Sequence, residues 1–378
     1  PVHRLKWDTS QYAVASCSED ESSHLRSSPQ VLPSALSQAL IGYFKASNTG
    51  ASDNFGKGFA ISDDGLTIAV GAAGEDSAGT GINSAETGDT GTASNTGAVY
   101  VFRSTNGVWA QEAYIKAQYP DIDDYFGWRV ALSSNGDTLA VSTFNEDSQS
   151  TGIDGDQSDD SSENSGAAYI FTRSGTTWTQ QAYIKASNTD MTEYFGYSVS
   201  LSSDGNTMAV GAYGEYSLAT GVNGDQNDDS AGLAGAAYVF RRTGTSWAQQ
   251  AYIKASNTEA DDCFGISVAL NYDGNLLAAG AYHESSNAVR LDGDESNNGV
   301  TQSGAAYLFT RSGTSWTQHN FIKATNSGTI NLFGYSLALT PDGNTLAVSA
   351  YQESSDSTGV GGSQVNSGAS NSGAVFLY

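Results

Sequence analysis

The dipeptide Phe-Gly returns five times along the 378-residue chain, at intervals of about 70 residues. The five copies begin at Phe55, Phe126, Phe195, Phe264 and Phe333. Self-similarity at a fixed period indicates that one structural unit is repeated and packed against its neighbours. Any fold assigned to the chain must therefore be built from copies of one unit.

Each unit has the pattern of four short antiparallel strands. In the third copy, the run "SVSLS" is followed by the turn "SDGN" and the run "TMAVGAY". A long polar loop comes next. The run "GAAYVF", the turn "RRTGTSW" and the run "QQAYIKAS" complete the unit. Alternating apolar runs between Gly-containing turns are typical of strands, and 43 glycines with 38% apolar residues favour an all-β chain. Four strands per repeat indicate a β-propeller blade.

The ends of the repeat region predict how the propeller closes. The chain reaches Tyr378 after only three strands of the fifth repeat, and the missing strand-four sequence appears before the first Phe-Gly, as "IGYFKASNT" at Ile41–Thr49. Pairing that segment with the last blade removes an open sheet edge. We therefore predict a five-bladed β-propeller of four-stranded antiparallel blades over residues 39–378, closed by a strand from residues 41–49.

Charge and motifs narrow the function classes. The net charge is −25 with only 16 Lys and Arg residues, which argues against nucleic-acid partners. No apolar run approaches the roughly 20 residues of a membrane-spanning helix, so no membrane insertion is predicted. Four histidines are scattered, and no G-x-S-x-G, P-loop or dinucleotide motif occurs. The sequence therefore predicts a protein that is not an enzyme.

Strand direction predicts one strongly acidic face. The loop between strands two and three and the linker into the next blade fall at the same end of each blade, and both are rich in Asp and Glu. A glutamate opens each long loop, either to accept backbone hydrogen bonds or to bind a cation: Glu75, Glu146, Glu215, Glu284 and Glu353. A lysine recurs in strand four, where we expect it to protect the outer edge from aggregation: Lys45, Lys116, Lys185, Lys254 and Lys323.

Three of the long loops carry oxygen-bearing side chains at alternate positions, a spacing that suits calcium. These candidate ligands are Asp154, Asp156, Ser158 and Asp160 in repeat two, Asn223, Asp225, Asn227 and Asp229 in repeat three, and Asp292, Asp294, Ser296 and Asn298 in repeat four. The sixth position lacks the glycine of an EF-hand loop, and repeats one and five lack the pattern. Calcium loops and solvated Asx-turn loops are equal alternatives here.

The segment "FGYSVSLSSDGNTMAVGAYGE" resembles the FG-GAP repeat, known from the N-terminal propeller of integrin α subunits and from bacterial surface proteins. The resemblance implies an extracellular propeller used in adhesion, often stabilised by calcium. Integrin repeats place calcium between Phe-Gly and Gly-Ala-Pro, where this chain has only short turns such as Asp204-Gly205. Residues 1–38 lie outside the repeats and resemble the end of a fibronectin type III or immunoglobulin-like domain.

These observations predict a secreted or cell-surface binding module. Its partners would be an extracellular protein or glycan, recognised through the acidic face. Tryptophans in the turn between strands three and four could stack on sugars, although packing of that turn is the favoured interpretation. The alternative is a structural subunit of an extracellular filament, sheath or surface layer, which would bind copies of itself.

Overall fold

The computed structural model describes residues 42–85, 93–364 and 366–378, and the predicted domain of residues 1–38 lies outside them. All regular secondary structure in the described residues is β, in nineteen strands. The described residues from Phe44 to Tyr378 belong to one compact unit, which carries all nineteen of these strands. No helix long and apolar enough to cross a membrane occurs in the described residues.

The strands form five antiparallel sheets, one for each repeat. Blade one contains β1 (Phe55–Ile61), β2 (Thr67–Ala72), β3 (Ala98–Thr105) and β4 (Val108–Ile115). Blade two contains β5 (Arg129–Leu132), β6 (Thr138–Thr143), β7 (Ala167–Ser174) and β8 (Thr177–Ile184). Blade three contains β9 (Ser198–Leu201), β10 (Thr207–Ala212), β11 (Ala236–Thr243) and β12 (Ser246–Ile253). Blade four contains β13 (Phe264–Leu270), β14 (Leu276–Ala281), β15 (Ala305–Ser312) and β16 (Ser315–Ile322). Blade five contains β17 (Phe333–Leu339), β18 (Leu346–Ala350) and β19 (Ala374–Leu377).

The arrangement confirms the predicted five-bladed β-propeller. Strands within each sheet follow sequence order, and the first strands of successive blades contact one another from β1 to β17. The first strand is therefore the innermost strand of each blade. The loops between the second and third strands lie at the same end as the linkers that enter the blades, as the strand directions predicted.

Hydrophobic cores lie between adjacent blades as well as within them. Phe264 is fully buried and packs edge-on against Tyr307 and Phe309, with ring centroids 5.4 and 6.1 Å apart. The same edge-on trio recurs in the other blades, and in blade five Phe333 packs against Phe376 and Tyr378. Edge-on packing suits the aromatic quadrupole and fixes the ring positions.

The recurring tryptophans pack between blades, as the favoured interpretation predicted. The indole nitrogen of Trp247 donates to Oε1 of Gln181 in the preceding blade at 3.0 Å. The guanidinium of Arg242 lies 5.5 Å from the Trp247 ring centroid and also donates to Gln181. Trp178, Trp247 and Trp316 are all buried, so these side chains are not available to stack on a sugar.

The last blade has three strands in the described part of the chain, with β19 paired only with β18. The predicted closing segment, residues 41–49, is described from residue 42 onwards, and residues 42–49 form no strand. Phe44 packs against Phe102 and Trp109 of blade one, and Asn48 donates to Glu75. In the repeat, residues 45–49 correspond to the linkers that follow the fourth strands, and the fourth strand itself corresponds to residues 37–44, of which 37–41 lie outside the described residues.

Candidate functional site

A buried ion pair lies beneath the acidic end of four blades. Nζ of Lys254 lies 2.6 Å from Oε2 of Glu215, and the hydroxyl of Tyr252 donates to Oε1 of the same carboxylate at 2.7 Å. Equivalent pairs join Glu75 to Lys116, Glu146 to Lys185, and Glu284 to Lys323. The prediction that these lysines protect an outer edge is wrong for these four blades, because each lysine turns inward and neutralises the loop glutamate.

Burial changes the pKa of the lysine in this pair, and further donors contact the glutamate. Burial lowers the pKa of the Lys254 ammonium, and the adjacent Glu215 carboxylate opposes that shift. The linker before the blade adds a further donor, since Nδ2 of Asn188 donates to Oε1 of Glu215 at 3.2 Å. Each glutamate therefore has protein donors on its oxygens, which favours the hydrogen-bonding interpretation of this position over the cation one.

A second carboxyl group is buried near the pair, two residues before the Phe-Gly of blades two to four. Asp262 accepts a hydrogen bond from the backbone N–H of Glu259 at 2.9 Å. Burial raises its pKa to about 8, and the nearby carboxylates of Glu284 and Glu259 add to the shift. Asp124 is raised to about 8 in the same way, and burial raises the pKa of Glu193 well above its ordinary value. These carboxyl groups favour the protonated form at neutral pH.

An Asp262→Asn variant is expected to be more stable than the parent by on the order of 5 kcal/mol at pH 8. Below pH 4 both folded and unfolded Asp262 are protonated, so the variant has no advantage. As the pH rises towards 8 the unfolded state loses its proton first, which destabilises the parent but not the variant. Asn331 occupies the equivalent buried position in blade five, so an amide is compatible with this site.

Melting curves between pH 4 and pH 8, recorded with a chelator present, measure this effect. The reverse substitution, Asn331→Asp, is the matched control and should lower the melting temperature increasingly as the pH rises. Equal shifts at pH 4 and pH 8 for Asp262→Asn would contradict the assignment.

The predicted calcium ligands lie on the acidic loops, but their side chains point to different partners. The first ligand position accepts from a backbone N–H of the blade's own fourth strand, as Asn223 does from Tyr252 at 3.0 Å. The second ligand, two residues after the first, caps its own turn, as Asp225 does by accepting from the N–H of Asn227 at 3.0 Å. The last position faces the linker, where Asn298 donates to Glu259 at 2.5 Å.

These contacts do not gather the predicted side chains around one point. Among residues 42–85, 93–364 and 366–378, no group of three or more His, Cys, Asp or Glu side chains is placed to hold a metal ion. The described geometry fits Asx turns, in which the side-chain oxygens already accept backbone hydrogen bonds. Calcium binding by these loops stays a prediction, which melting curves with calcium and with chelator test.

The centre of the acidic face carries a set of partly exposed aromatic side chains, here called the aromatic belt. Its members flank the Phe-Gly dipeptides and follow the second strands of blades two to five. They are Tyr125, Trp128, Phe144, Tyr194, Tyr197, Tyr213, Tyr282, His283, Tyr335 and Tyr351. The positions beside Phe-Gly and the positions after the second strand all lie at one end of the two innermost strands, within a few residues of the loop glutamates.

Direct ring contacts join the belt members of neighbouring blades. Trp128 of blade two lies 5.6 Å from Tyr197 of blade three, which lies 4.7 Å from Tyr213. In blades four and five, Tyr282 lies 5.6 Å from Tyr335, which lies 4.5 Å from Tyr351. These ring contacts form two clusters, one in blades two and three and one in blades four and five.

A cavity of about 180 Å³ opens among the innermost strands of blades two to five, beside the belt. Arg129, Tyr197, Ile266 and Tyr335 line it. Burial lowers the pKa of the Arg129 guanidinium, which also lies 4.9 Å from the Trp128 ring centroid. The site thus offers aromatic faces with the cations of Arg129 and Lys57 beside them, inside a rim of carboxylates, a combination suited to binding polar ligands that have an apolar face.

The aromatic belt was missed by the sequence reasoning, although its signal is present. An aromatic residue follows Gly-Ala or its replacement in four repeats and follows Phe-Gly in three. In blades two to five the Phe of Phe-Gly is buried, whereas the aromatic residues that flank Phe-Gly or follow the second strand are partly exposed.

The model of the FG-GAP repeat matches residues 109–171, 178–240 and 247–309, which together make up half of the chain. The chain belongs to the FG-GAP repeat family. The matched segments begin at Trp109, Trp178 and Trp247 and run through the Phe-Gly, the second strand, the long loop and the third strand of the next blade. The resemblance predicted from the Phe-Gly period is thereby confirmed. No curated protein sequence matches this FG-GAP chain.

Solved propellers resemble this FG-GAP chain at low sequence identity. They include a proposed 6-phosphogluconolactonase from Bacteroides uniformis, 11% identical, with a TM-score of 0.43 over 78% of this chain and 64% of that one. A periplasmic gluconolactonase from Pseudomonas aeruginosa is 14% identical, with a TM-score of 0.43 over 77% and 63%. A proposed TolB from Agrobacterium tumefaciens is 10% identical, with a TM-score of 0.37 over 79% and 70%. The chain spans less than two thirds of the length of the two lactonases.

The prediction that the protein is not an enzyme is corrected by these comparisons. Two of the similar propellers are named as a 6-phosphogluconolactonase and a gluconolactonase. The prediction rested on missing sequence motifs, and such motifs identify only some kinds of active site. No catalytic residue or substrate of those proteins is assigned to this chain.

Proposed function

We propose that this FG-GAP propeller is a recognition module of a secreted or cell-surface protein, which binds a protein or glycan on its acidic face. The aromatic belt is the observation that carries the proposal. Partly exposed aromatic rings at the centre of a face supply apolar contact area at a low cost in side-chain entropy. The surrounding long loops vary among the blades and are placed by a rigid frame, which is a common arrangement of binding sites.

The charge of the rim distinguishes the two classes of ligand. A basic protein would be attracted by the carboxylates, so raising the salt concentration would slow its association and weaken its binding. A neutral glycan stacked on the belt would bind with little dependence on salt. Binding measured at about 50 mM and 500 mM salt therefore separates a protein partner from a sugar.

A Tyr335→Ala variant is expected to lose about tenfold or more in affinity, because the belt is the central contact of the proposed site. The probes are an array of neutral oligosaccharides and a panel of extracellular matrix proteins, and the affinity for each positive probe is then measured. Tyr335 is substantially exposed, so its removal should leave the fold intact.

Tyr272→Ala is the matched control for this experiment, because Tyr272 is an exposed tyrosine in a turn at the opposite end of the blades. Unchanged affinity of this variant is expected. Equal losses for both tyrosines, or no binding to any probe, would count against recognition by the acidic face.

A further inference from the structure

One arginine lines the cavity beside the aromatic belt at a position where the other blades carry small residues. Arg129 is the third residue after the Phe of Phe-Gly in blade two. Glycine or serine stands at this position in the other four blades: Gly58, Ser198, Ser267 and Ser336. Ser198 joins its blade to the next one, because its hydroxyl donates to the carbonyl oxygen of Gly265 at 2.8 Å. Arg129 therefore replaces a small structural residue with a long cationic one.

The guanidinium of Arg129 has few partners within the described protein. It is half-buried and carries five N–H donors, but its one side-chain hydrogen bond to a described residue goes to the carbonyl oxygen of Trp128 at 3.2 Å. Arg173, by contrast, pairs with Glu112 at 2.9 Å and with Asp137 at 2.8 Å. Cations taken out of water are usually paired with an opposite charge. The part of the chain that the structure describes gives Arg129 no carboxylate partner.

A second cation and two phenol groups surround the same point. Nζ of Lys57 lies 4.5 Å from the ring centroid of Trp128, and the Arg129 guanidinium lies 4.9 Å from it. Tyr197 and Tyr335 line the cavity together with Arg129. Burial lowers the pKa of Arg129, and these two tyrosines, rather than a carboxylate, are the described groups that oppose the shift. The centre of the acidic face is therefore locally cationic.

The size and lining of the cavity indicate the class of ligand. Its volume of about 180 Å³ is below the roughly 300 Å³ at which pockets for drug-sized ligands begin, so it has room for one small group. A guanidinium can bind a carboxylate through two parallel N–H···O bonds, which are stronger than neutral hydrogen bonds. The exposed ring of Tyr335 offers an apolar face on which a sugar ring can stack.

The acidic rim does not prevent one anionic group from binding here. Rim carboxylates such as Asp156 and Asp225 are exposed, so salt screens their fields beyond about 10 Å. None of the described carboxylates shifts the pKa of Arg129. A pair formed inside the cavity is screened much less than the rim charges. The rim instead disfavours polyanions, and thereby favours a ligand with a single acidic unit at its end.

We propose that the cavity beside the aromatic belt binds the carboxylate of a terminal uronic acid unit of a glycan, and that Arg129 pairs with this carboxylate. Tyr335 would stack on the sugar ring, and Lys57 would add a second positive charge beside Trp128. This inference rests on the proposed function, because it names the class of ligand that the acidic face recognises.

Paired probes test the proposal. Two trisaccharides that differ only in their terminal unit, glucuronic acid in one and glucose in the other, are titrated into the full chain in a calorimeter. The parent should bind the acidic probe about tenfold or more tightly than the neutral one. Arg129→Ser introduces the residue that blades three to five carry at this position, and it should lose that preference. Arg129→Lys keeps the charge without the two-bond geometry and should retain a reduced preference.

Arg290→Ser is the matched control, because it removes the same charge from an exposed loop residue of blade four on the acidic face. This variant should prefer the acidic probe as strongly as the parent does. Equal loss of preference in Arg129→Ser and Arg290→Ser would overturn the proposal, since a general field effect would then explain it. Tighter binding of a peptide through its terminal carboxylate than of the acidic sugar would also overturn it.

Failure of this inference can be distinguished from failure of the proposed function. If the parent binds both probes equally and Tyr335→Ala weakens both, the acidic face recognises glycans but not their carboxylates, and only this inference is overturned. If neither probe binds, this inference is overturned as well, and the panel of extracellular matrix proteins then decides whether the acidic face recognises a protein.

Discussion

In a Lys254→Met variant the free energy of unfolding is expected to be about 3 to 5 kcal/mol lower than in the parent chain. The substitution keeps most of the side-chain volume but leaves the Glu215 carboxylate buried without its cation. The hydrogen bonds from Tyr252 and Asn188 would remain, yet neutral donors do not compensate a buried charge fully. Equilibrium denaturation in urea or guanidinium measures the loss, with the slope of the transition checked against the parent.

Two further variants separate the ion pair from general effects of mutation. Lys254→Met combined with Glu215→Gln removes both charges, so it should regain a large part of the lost stability. Lys45→Met, at the equivalent but exposed position, should change the stability of dilute protein by less than about 0.5 kcal/mol. A single Lys254→Met variant as stable as the parent would show that the buried pair does not stabilise the blade.

Gly265→Ala is expected to cost about 2 to 5 kcal/mol, because two penalties coincide at this Phe-Gly glycine. Its backbone φ is +85°, and a Cβ there would lie 2.1 Å from the carbonyl oxygen of Ala236. A left-handed conformation alone costs a non-glycine residue about 1 to 2 kcal/mol. The clash adds to it, because neither backbone can move without disturbing the packing between strands.

Gly244→Ala is the control that carries only the first penalty. Gly244 lies in the turn between β11 and β12 with φ of +64°, and a Cβ there would meet nothing within 4 Å. It should lose no more than about 1 to 2 kcal/mol. Similar losses for the two variants in denaturation curves would mean that the close approach at Phe-Gly is not a constraint on the fold.

The five-bladed fold could be predicted because the Phe-Gly period reflects a constraint that is local and repeated. Gly265 must adopt a left-handed backbone beside a carbonyl group, and Phe264 must fill the space between two blades. Both requirements recur in blades two to five, and the positive φ of the glycine recurs in all five repeats, so they appear in the sequence as a motif. Strand order then followed from the alternation of apolar runs and turns.

The inward lysines could also have been predicted, but residue type was given more weight than alternation. Tyr252 and Lys254 are two positions apart in an extended segment, so their side chains leave the same face. With Tyr252 buried, Lys254 had to be buried as well, and the loop glutamate of the same repeat was its natural partner. A lysine at a strand end was instead assigned to solvent, where lysines usually lie.

The direction of the loop side chains was beyond sequence reasoning. Asn223 has φ of +57°, which allows its side chain to accept from the backbone of Tyr252, 29 residues away in the sequence. Alternate oxygens in a sequence give the spacing of possible ligands but not the backbone conformation that aims them. The aromatic belt shows the same limit, because its members come together only when four blades surround one centre.

The asparagine in the linkers into blades three, four and five makes neighbouring blades depend on one another for their folding. Asn188, Asn257 and Asn326 each follow the last strand of one blade and donate to the buried glutamate of the next. If one blade melted, its neighbour would lose a donor to a buried carboxylate and would be destabilised in turn. Backbone amides of the inner strands should therefore exchange with solvent at similar rates in blades two, three and four, through opening events that involve several blades together.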